Sequence, residues 1–195
     1  MKTQRVLVLV DQANLTMTAK GFGRWVDWEK LRDYLANEDE GRTLVEMVLY
    51  IGMPPTSPEF NQKEDFLDKQ VYWLEQHGFM VVTRTGIPTT GGAFKSNVDV
   101  VMAIDAMTLA DSTLPDVVVL VTGDSDFDHL AHTLRRKGIR VEVAGIEASM
   151  SNALRRAANS YLDLTEVING FPAIGGGSAP PMGGQGLFDA PARRW

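Results

Sequence analysis

The chain contains no cysteine among its 195 residues. This absence excludes disulfide frameworks, thiolate zinc sites and cysteine nucleophiles. Long apolar runs are also missing, because the first one, residues 6–10, ends after five residues at Asp11. A signal peptide needs a longer apolar region, and a membrane-spanning helix needs roughly 20 such residues. We therefore expect a cytoplasmic protein that does not enter a membrane.

Basic charge is in short supply as well. The chain has 19 Lys and Arg residues against 25 Asp and Glu residues, which gives a net charge of -6 at pH 7. Proteins that coat nucleic acid without specificity need a broad basic surface, so this class is disfavoured. An enzyme that acts on nucleic acid at a local acidic metal site stays compatible with the charge, provided that a few Lys and Arg residues steer the substrate.

What the sequence does contain is a regular alternation of short β-branched runs and helical patterns. Continuous apolar runs, rather than alternating ones, are typical of strands covered on both faces. The pattern predicts a three-layer α/β fold with a doubly wound, mainly parallel β-sheet flanked by helices. The predicted strands are residues 5–10, 44–51, 79–84, 116–122, 140–144 and, more briefly, 161–164. The predicted helices are residues 27–36, a segment from Ser57 or Glu59 to His77, a buried helix over 97–110, 125–137 and 149–158.

The composition changes near Gly170 to a segment rich in Gly and Pro. Such a segment buries too little apolar surface to order itself. We therefore predict a folded domain over residues 1–168 and a flexible tail over 169–195. The apolar residues near its end, Leu187, Phe188 and Trp195, leave open a homodimer or a protein partner bound through the tail, although an inert tail is the simpler interpretation.

Two acidic motifs follow predicted strands directly. Asp11 ends the first strand, and Gly123-Asp124-Ser125-Asp126 follows the strand over 116–122. Sites in open parallel sheets form at the carboxyl ends of strands, near the point where the strand order reverses. If these two strands are neighbours, Asp11 and Asp124 face each other. Clustered carboxylates repel one another, and Mg²⁺ or Mn²⁺ relieves that repulsion, so the motifs indicate a divalent-metal site.

Structural roles compete with this interpretation at several positions. Ser125 with Asp128 resembles a capping box, and Asn14 either stabilises its own turn or orients Asp11. Asp99 is favoured anyway in the first turn of a helix. Asp105 lies in the middle of an apolar helix and needs a partner. Six residues separate it from Asp99, about 600° of helical rotation, so Asp99 is the better ligand candidate and Asp105 the better buried anchor.

Four basic residues follow predicted strands on the same edge as the aspartates. They are candidates for binding a phosphate backbone, whereas Arg135, Arg136 and Lys137 fall at the opposite edge and match helix C-terminal charge compensation. Phe94 and Trp25 are candidates for stacking on bases, and Trp28 is a core residue by its helical spacing. The four basic candidates are Lys20, Arg24, Arg84 and Lys95.

Three motifs in this order resemble the NYN domain, a branch of the PIN-like nuclease superfamily, and in particular its LabA-like bacterial group. They are Val-Asp11-Gln-Ala-Asn14-Leu, then Lys95 followed by Val98-Asp99-Val and Asp105, and Thr-Gly123-Asp124-Ser125-Asp126-Phe127. The resemblance covers residues 5–164. It implies a Mg²⁺- or Mn²⁺-dependent ribonuclease in which a metal-activated water attacks a phosphodiester of RNA. It also implies acidic residues at Asp11, Asp99, Asp124 and Asp126, supported by Asn14 and Ser125.

Two other functions compete with an endoribonuclease. A LabA-like regulatory module would bind RNA or protein with little or no turnover, and the acidic net charge favours it. The retained carboxylates favour the enzyme, because a pure binding module has little reason to keep their repulsion. A haloacid-dehalogenase-like phosphatase fits Gly123-Asp124 with Asp128, but it needs a second aspartate where this chain has Ala13.

Overall fold

Eight strands are present in the computed structural model, which describes residues 3–90 and 92–175. Six of them form one sheet in which every neighbouring pair is parallel, in the order β3-β2-β1-β6-β7-β8. The chain winds in one direction from β1 to β3 and in the other from β6 to β8, which confirms the doubly wound architecture. The strands are β1 (Gln4–Asp11), β2 (Arg42–Met53), β3 (Met80–Thr85), β4 (Ile87–Pro88), β5 (Phe94–Lys95), β6 (Val117–Val121), β7 (Arg140–Gly145) and β8 (Ser160–Asp163).

Helices cover both faces of this sheet. Val6, Val8 and Val10 of β1 face one apolar layer, and Leu7 and Leu9 face the other, all of them fully buried. This two-sided burial explains why the strands read as continuous apolar runs. The first layer is built with α1 (Gln12–Gly21), α2 (Trp28–Leu35), α3 (Asn61–Gln76) and α7 (Thr165–Asn169), and the second with α4 (Val98–Thr113), α5 (Asp128–Arg136) and α6 (Asn152–Ala157).

The structure differs from the predicted elements at several places. Helices α1 and α7 were not predicted, since α1 has weak apolar periodicity and α7 has only five residues. Helix α3 begins at Asn61, after Ser57 and Glu59. The predicted loop over 85–93 contributes β4, which pairs with β5 in a small antiparallel ribbon. Short 3-10 turns at Ser125–Phe127 and Glu147–Ser149 precede α5 and α6.

Helix α4 was expected to be buried, and only one side of it is. Met102, Ala106 and Ala110 lie in the core, but Val100 and Ile104 are 55% and 60% exposed. An apolar composition on all sides removed the periodicity that separates a buried face from a solvent face. The expectation of full burial was therefore wrong.

Packing continues beyond the predicted domain end at residue 168. Phe171 is buried, and the backbone N–H of Ile174 donates to the carbonyl oxygen of Gly23 over 2.8 Å. Residues 176–195, which include Leu187, Phe188 and Trp195, lie outside the described residues. Across 3–90 and 92–175, no helix combines the length and apolarity that crossing a bilayer requires.

Candidate functional site

The pairing of β1 with β6 brings the two acidic motifs together. Val10 lies opposite Val121 in the register, so Asp11 and the segment after Val121 leave the sheet side by side. Burial raises the pKa of the Asp11 carboxyl, hydrogen bonds from the Asn14 N–H and the Thr122 hydroxyl partly oppose the rise, and the charges of Asp124 and Asp99 raise it further. The expectation that the two strands are neighbours is confirmed, and the charges of two carboxylates from other elements act on Asp11 at this edge.

Asp99 reaches this edge from the first turn of α4, which packs against β1 and β2. The residue before the helix, Asn97, has a φ of 47°, a left-handed conformation that Asn tolerates better than most residues. This sharp entry directs the helix N-terminus toward the carboxyl ends of the strands. A partial positive charge at the helix N-terminus also favours the Asp99 carboxylate.

Thr122 joins the two strand ends through its hydroxyl group. The hydroxyl donates to Asp11 Oδ2 over 3.4 Å and accepts from the backbone N–H of Asp124 over 3.2 Å. Its side chain is almost fully buried. Sequence reasoning assigned no role to this residue, and the available signal was a hydroxyl side chain at the end of an otherwise apolar strand. Thr122 thus holds Asp11 and the Asp124 backbone at a set separation.

Gly123 is held between two other parts of the chain. Its N–H donates to Asn14 Oδ1 over 3.3 Å, and its carbonyl oxygen accepts from the N–H of Ser151 over 2.9 Å. A Cβ at this position would collide with the backbone carbonyl of Ser149. The motif needs glycine here because of this close backbone approach. Asn14 therefore contacts the Gly123 turn, and its own N–H donates to Asp11 Oδ1 over 3.1 Å.

The turn after Gly123 is closed by Asp124 itself. Asp124 Oδ1 accepts from the N–H of Asp126 over 3.0 Å, while the N-terminus of α5 has no side-chain cap bond. The capping box expected from Ser125 and Asp128 is therefore wrong, because a 3-10 turn separates Ser125 from the helix. Asp124, Ser125 and Asp126 are all exposed. The charges of Asp99 and Asp124 thus reach Asp11, and Asp126 lies two residues after Asp124 in the same exposed turn.

The donor atoms at this edge are of the type that a hard divalent cation prefers, since all are carboxylate or amide oxygens. Among residues 3–90 and 92–175, no three Asp, Glu or His side chains lie close enough to hold one ion. The chemistry of the donor set fits Mg²⁺ or Mn²⁺, and binding would require the side chains to converge further.

Asp105 of α4 lies beside the hydroxyl of Tyr50. Burial raises the pKa of Tyr50, and the neighbouring charge of Asp105 raises it further. Among the residues that the structure describes, no group meets ordinary hydrogen-bond geometry with this buried hydroxyl. Tyr50 is also the register partner of Asp11 on β2. The neighbour that the sequence predicted for Asp105 is therefore the phenol of Tyr50, which lies next to Asp11 at the carboxyl end of β1.

The four predicted basic residues fall in different surroundings. Arg84 on β3 and Lys95 on β5 are exposed beyond the β2 side of the sheet, and Lys20 is exposed in the last turn of α1. Arg24 is half-buried, and its guanidinium donates to the carbonyl oxygen of Phe171 over 3.0 Å. Three of the four are therefore open to solvent, while Arg24 is engaged by the segment that ends the described chain.

Lys63, in the first turn of α3, was missed. Its ammonium lies 4.6 Å from the centre of the Phe94 ring. Burial lowers the pKa of Lys63, and the charge of Lys20 lowers it further. A cation in the first turn of a helix opposes the helix dipole. That unfavourable position was the signal that could have found Lys63.

The residues assigned to the opposite edge lie there in the structure. Helix α5 ends at Arg136, just before the amino end of β7. An open groove of about 640 Å³ at this edge is lined in part by Arg135, Arg136 and Arg140. These arginines are separated from the acidic cluster by the length of the sheet.

Sequence and structure comparisons agree with this architecture. The NYN domain model matches residues 5–165, and the chain belongs to the NYN domain family, within the PIN-like nuclease superfamily. Among curated proteins, the chain is similar to the Low amplitude and bright protein LabA of Synechococcus elongatus. The two are 24% identical over 172 residues, which cover 85% of this chain and 87% of that protein. This likeness to LabA agrees with the LabA-like group that the motifs indicated.

A solved structure shares the fold. It is a protein of unknown function from Vibrio parahaemolyticus, and it superposes with a TM-score of 0.63 at 23% sequence identity. The match covers 84% of this chain and 94% of that one. At this identity the likeness concerns the fold alone.

Proposed function

We propose that this protein is a metal-dependent ribonuclease, an endonuclease that hydrolyses phosphodiester bonds of RNA at the carboxyl edge of its sheet. The observation that carries the proposal is the position of Asp11 at the carboxyl end of β1, beside the Gly123-Asp124 turn after β6 and within reach of the charges of Asp99 and Asp124, in an NYN domain. Like charges so placed repel one another, although Asp11 and Asp124 each also accept a backbone hydrogen bond. Their arrangement is explained by a function that uses concentrated negative charge.

Each residue has a distinct part in the proposed chemistry. A bound Mg²⁺ or Mn²⁺ would supply charge neutralisation at the phosphate and an activated water. Asp11, Asp99, Asp124 and Asp126 would hold the ion. Thr122 and Asn14 keep Asp11 and the Gly123 turn in place through the hydrogen bonds that the structure contains. Lys20, Arg84 and Lys95 are proposed to attract the phosphate backbone, and Ser125 lies exposed beside Asp124.

The test compares Asp124→Asn with wild type in an RNA-cleavage assay with Mg²⁺ or Mn²⁺, with and without chelator. Asn keeps the oxygen that accepts from the Asp126 N–H, so the turn survives while the charge is lost. We expect cleavage to fall by at least about a hundredfold, since removing one electrostatic group from an active site costs on the order of 10²–10³ in rate. Asp27→Asn is the matched control, because Asp27 also accepts from a helix N–H but caps α2 and takes no part in the acidic cluster. Equal cleavage by the Asp124 variant and wild type would contradict the site.

A second candidate function is an RNA- or protein-binding module of the LabA-like group with little or no turnover. The observation in its favour is that the carboxylates, as placed, do not enclose a coordination sphere in the described part of the chain. This function predicts measurable RNA binding by wild type with no cleavage under any metal condition. It also predicts that Asp124→Asn leaves binding unchanged or strengthens it, because a negative charge is removed.

A further inference from the structure

The groove at the amino edge of the sheet has a basic lining. It has a volume of about 640 Å³ and lies where α5 ends and where β7 and β8 begin. Within the described part of the chain, the side chains that line it include three arginines and a histidine, and no Asp or Glu. The chain as a whole has the opposite charge, -6. A local excess of positive charge on an acidic protein indicates a surface for an anionic ligand.

Two of these arginines are held in place by neutral oxygen atoms. Arg135 Nη1 donates to the carbonyl oxygen of Ala157 over 2.6 Å. Arg136 donates from Nε to the carbonyl oxygen of His132 over 3.3 Å and from Nη2 to the hydroxyl of Thr133 over 3.1 Å. Among residues 3–90 and 92–175, no carboxylate forms an ion pair with either guanidinium. Each guanidinium has five N–H donors, so both keep donors that these bonds do not use.

The third arginine, Arg140, shares a counter-charge with another arginine. Arg140 Nε and Arg42 Nη2 both donate to the carboxylate of Glu142, each over 2.9 Å. One carboxylate thus faces two guanidinium groups, and one positive charge remains. Together with the charges of Arg135 and Arg136, this remainder makes the groove cationic even after every ion pair of its arginines is counted.

Compensation of the helix dipole explains only part of this arrangement. Arg135 and Arg136 lie in the last turn of α5, where cations are favoured. The next residue, Lys137, is paired with Asp111 over 2.7 Å, so an acidic side chain was available to this end of the helix. Arg140 lies on β7 and not on the helix. A second element therefore contributes a cation to the same groove, which dipole compensation does not require.

The shape and lining of the groove favour an extended polyanion over a small molecule. Sites for small molecules enclose most of the ligand among apolar and aromatic side chains. This groove is open, and among the described residues that line it Ile139 is the one apolar side chain. None of those residues is aromatic, so bases have no ring to stack on. Guanidinium groups match phosphate oxygens with paired N–H donors, which favours contacts to a phosphate backbone.

We propose that this groove binds the phosphate backbone of a single-stranded RNA at a second site, remote from the acidic cluster. The proposal rests on the proposed function, because it takes the same RNA as ligand. The five residues of β6 separate the two edges by about 16 Å at 3.3 Å per residue. A stacked strand rises about 3.4 Å per nucleotide, so a dinucleotide cannot reach both edges. The groove supplies the attraction to RNA that the acidic cluster cannot.

The test measures binding of a fluorescently labelled single-stranded RNA, long enough to reach both edges, to the full chain with chelator present. The affinity is followed against salt concentration for wild type, Arg136→Gln and the double variant with Arg135→Gln. Each phosphate neutralised on a single strand contributes about 0.7 to the slope of log K against log salt. We expect Arg136→Gln to lose about 0.7 and the double variant about 1.4, since each arginine neutralises one phosphate.

Lys69→Gln is the matched control, because Lys69 is an exposed cation on α3 and does not line the groove. Its slope should remain that of wild type. Arg136→Lys should keep the wild-type slope, because the charge is retained. A lower melting temperature for Arg136→Gln with an unchanged slope would assign Arg136 to helix stability alone and overturn the proposal. The proposal would equally be overturned if Arg136→Gln left RNA binding intact but abolished binding of an oligoglutamate peptide, since the groove would then take an acidic protein segment.

Cleavage assays with Mg²⁺ or Mn²⁺ separate the groove from the acidic cluster. For the long RNA, we expect the double variant to raise KM at least about tenfold, the effect of losing a charge-assisted hydrogen bond, and to leave kcat unchanged. Cleavage of a dinucleotide should be the same for both proteins. A fall in kcat for both substrates would place the arginines in the chemistry of the acidic cluster and overturn a remote site.

The two proposals fail in different ways. If wild type cleaves RNA and the arginine variants bind RNA like Lys69→Gln, the groove is not an RNA site and the ribonuclease function stands. If RNA binds with the expected loss of slope in the variants but is never cleaved, the groove stands and the ribonuclease function is wrong. If wild type neither binds nor cleaves RNA, both are overturned.

Discussion

At the scale of single residues, the surroundings of Asp11 have opposing effects on its ionised form. Its carboxylate accepts from the N–H of Asn14 and so caps α1. Burial and the charges of Asp124 and Asp99 nevertheless raise its pKa. Ionised Asp11 therefore costs folding free energy at neutral pH, as expected where function rather than stability selects a residue.

Asp11→Asn is expected to stabilise the protein at pH 7. Asn keeps an oxygen that caps α1 and removes the buried charge, and stabilising substitutions of this kind commonly add about 0.5–2 kcal/mol. Because the pKa is raised in the folded state, the penalty is present at neutral pH and fades as the pH falls toward the ordinary value of 3.8. Thermal unfolding of both proteins between pH 3 and pH 7 measures the difference. Asp27→Asn, a cap on α2, should show no such gain, and an unchanged or lower melting temperature for Asp11→Asn at pH 7 would contradict the account.

At the scale of elements, α4 shows where local sequence preference and structure disagree. The helix continues to Thr113 and ends at Leu114, which has a φ of 48° and is 71% exposed. Left-handed backbone costs roughly 1–2 kcal/mol for a residue with a Cβ, and glycine is the usual residue at such helix ends. Arg5 Nη1 donates to the Leu114 carbonyl oxygen over 3.0 Å, which ties this turn to β1. A hydrogen bond from the Arg5 side chain thus holds the Leu114 backbone in a conformation that a residue with a Cβ disfavours.

Leu114→Gly is expected to stabilise the protein by up to about 1 kcal/mol. The change removes the strain of positive φ, keeps the carbonyl that accepts from Arg5, and loses little burial because the side chain is exposed. Thr113→Gly is the control, since Thr113 lies within the helix and glycine there should destabilise by about 0.5–1 kcal/mol. Denaturant unfolding measures the change in the free energy of unfolding for each variant. A loss of stability for Leu114→Gly would show that the strain is absent.

At the scale of the whole molecule, the two edges of the sheet use charge in opposite ways. At the carboxyl edge, the negative charges of Asp99 and Asp124 act on Asp11. At the amino edge, buried Glu142 of β7 accepts from Arg42 Nη2 and Arg140 Nε, each over 2.9 Å. Burial opposes the ionisation of Glu142, but the two arginines outweigh it and hold its pKa below the ordinary value. This ion pair connects the start of β2 with β7, which are not neighbours in the sheet.

Glu142→Gln is expected to destabilise the protein by about 3 kcal/mol at pH 7, because breaking a buried ion pair leaves two arginines without their counter-charge. For a chain of this size that corresponds to roughly 6–12 °C in melting temperature. A lowered pKa means that the stability is present above the ordinary value of 4.5 and is lost as the pH falls through the folded-state value, so the two proteins should converge in acid. Glu147→Gln, which breaks an exposed pair with Arg155, should cost no more than about 1 kcal/mol. Similar losses for the two variants would contradict the role of Glu142.

Much of the site could be derived from local sequence, because its residues lie at strand ends. A run of five buried apolar residues that stops at Asp11, and the Gly123-Asp124 turn after 117–121, mark the carboxyl ends of β1 and β6 without any tertiary information. The N-cap of α2 at Asp27 and the buried Trp28 followed from local pattern in the same way. Hydrophobic periodicity and turn preferences depend on residues that are close in the chain, so they can be derived from the sequence without the tertiary structure.

Other features depended on contacts between distant segments. The hydrogen bond from Thr122 to Asp11 and the contact between Lys63 and Phe94 each join residues that are far apart in the chain. The half-exposed α4 depended on which side of the helix the rest of the protein covers. The capping box predicted at Ser125 does not form. Asp124 closes the turn there instead, and hydrogen bonds of Gly123 with Asn14 and Ser151 hold that turn in place. Residues 5–10 and 117–121 determined by themselves that strands would form and where acids would follow them. Only the tertiary structure decided that the charges of Asp99 and Asp124 reach Asp11 and that Lys63 contacts Phe94, because the order of strands and the packing of helices set those distances.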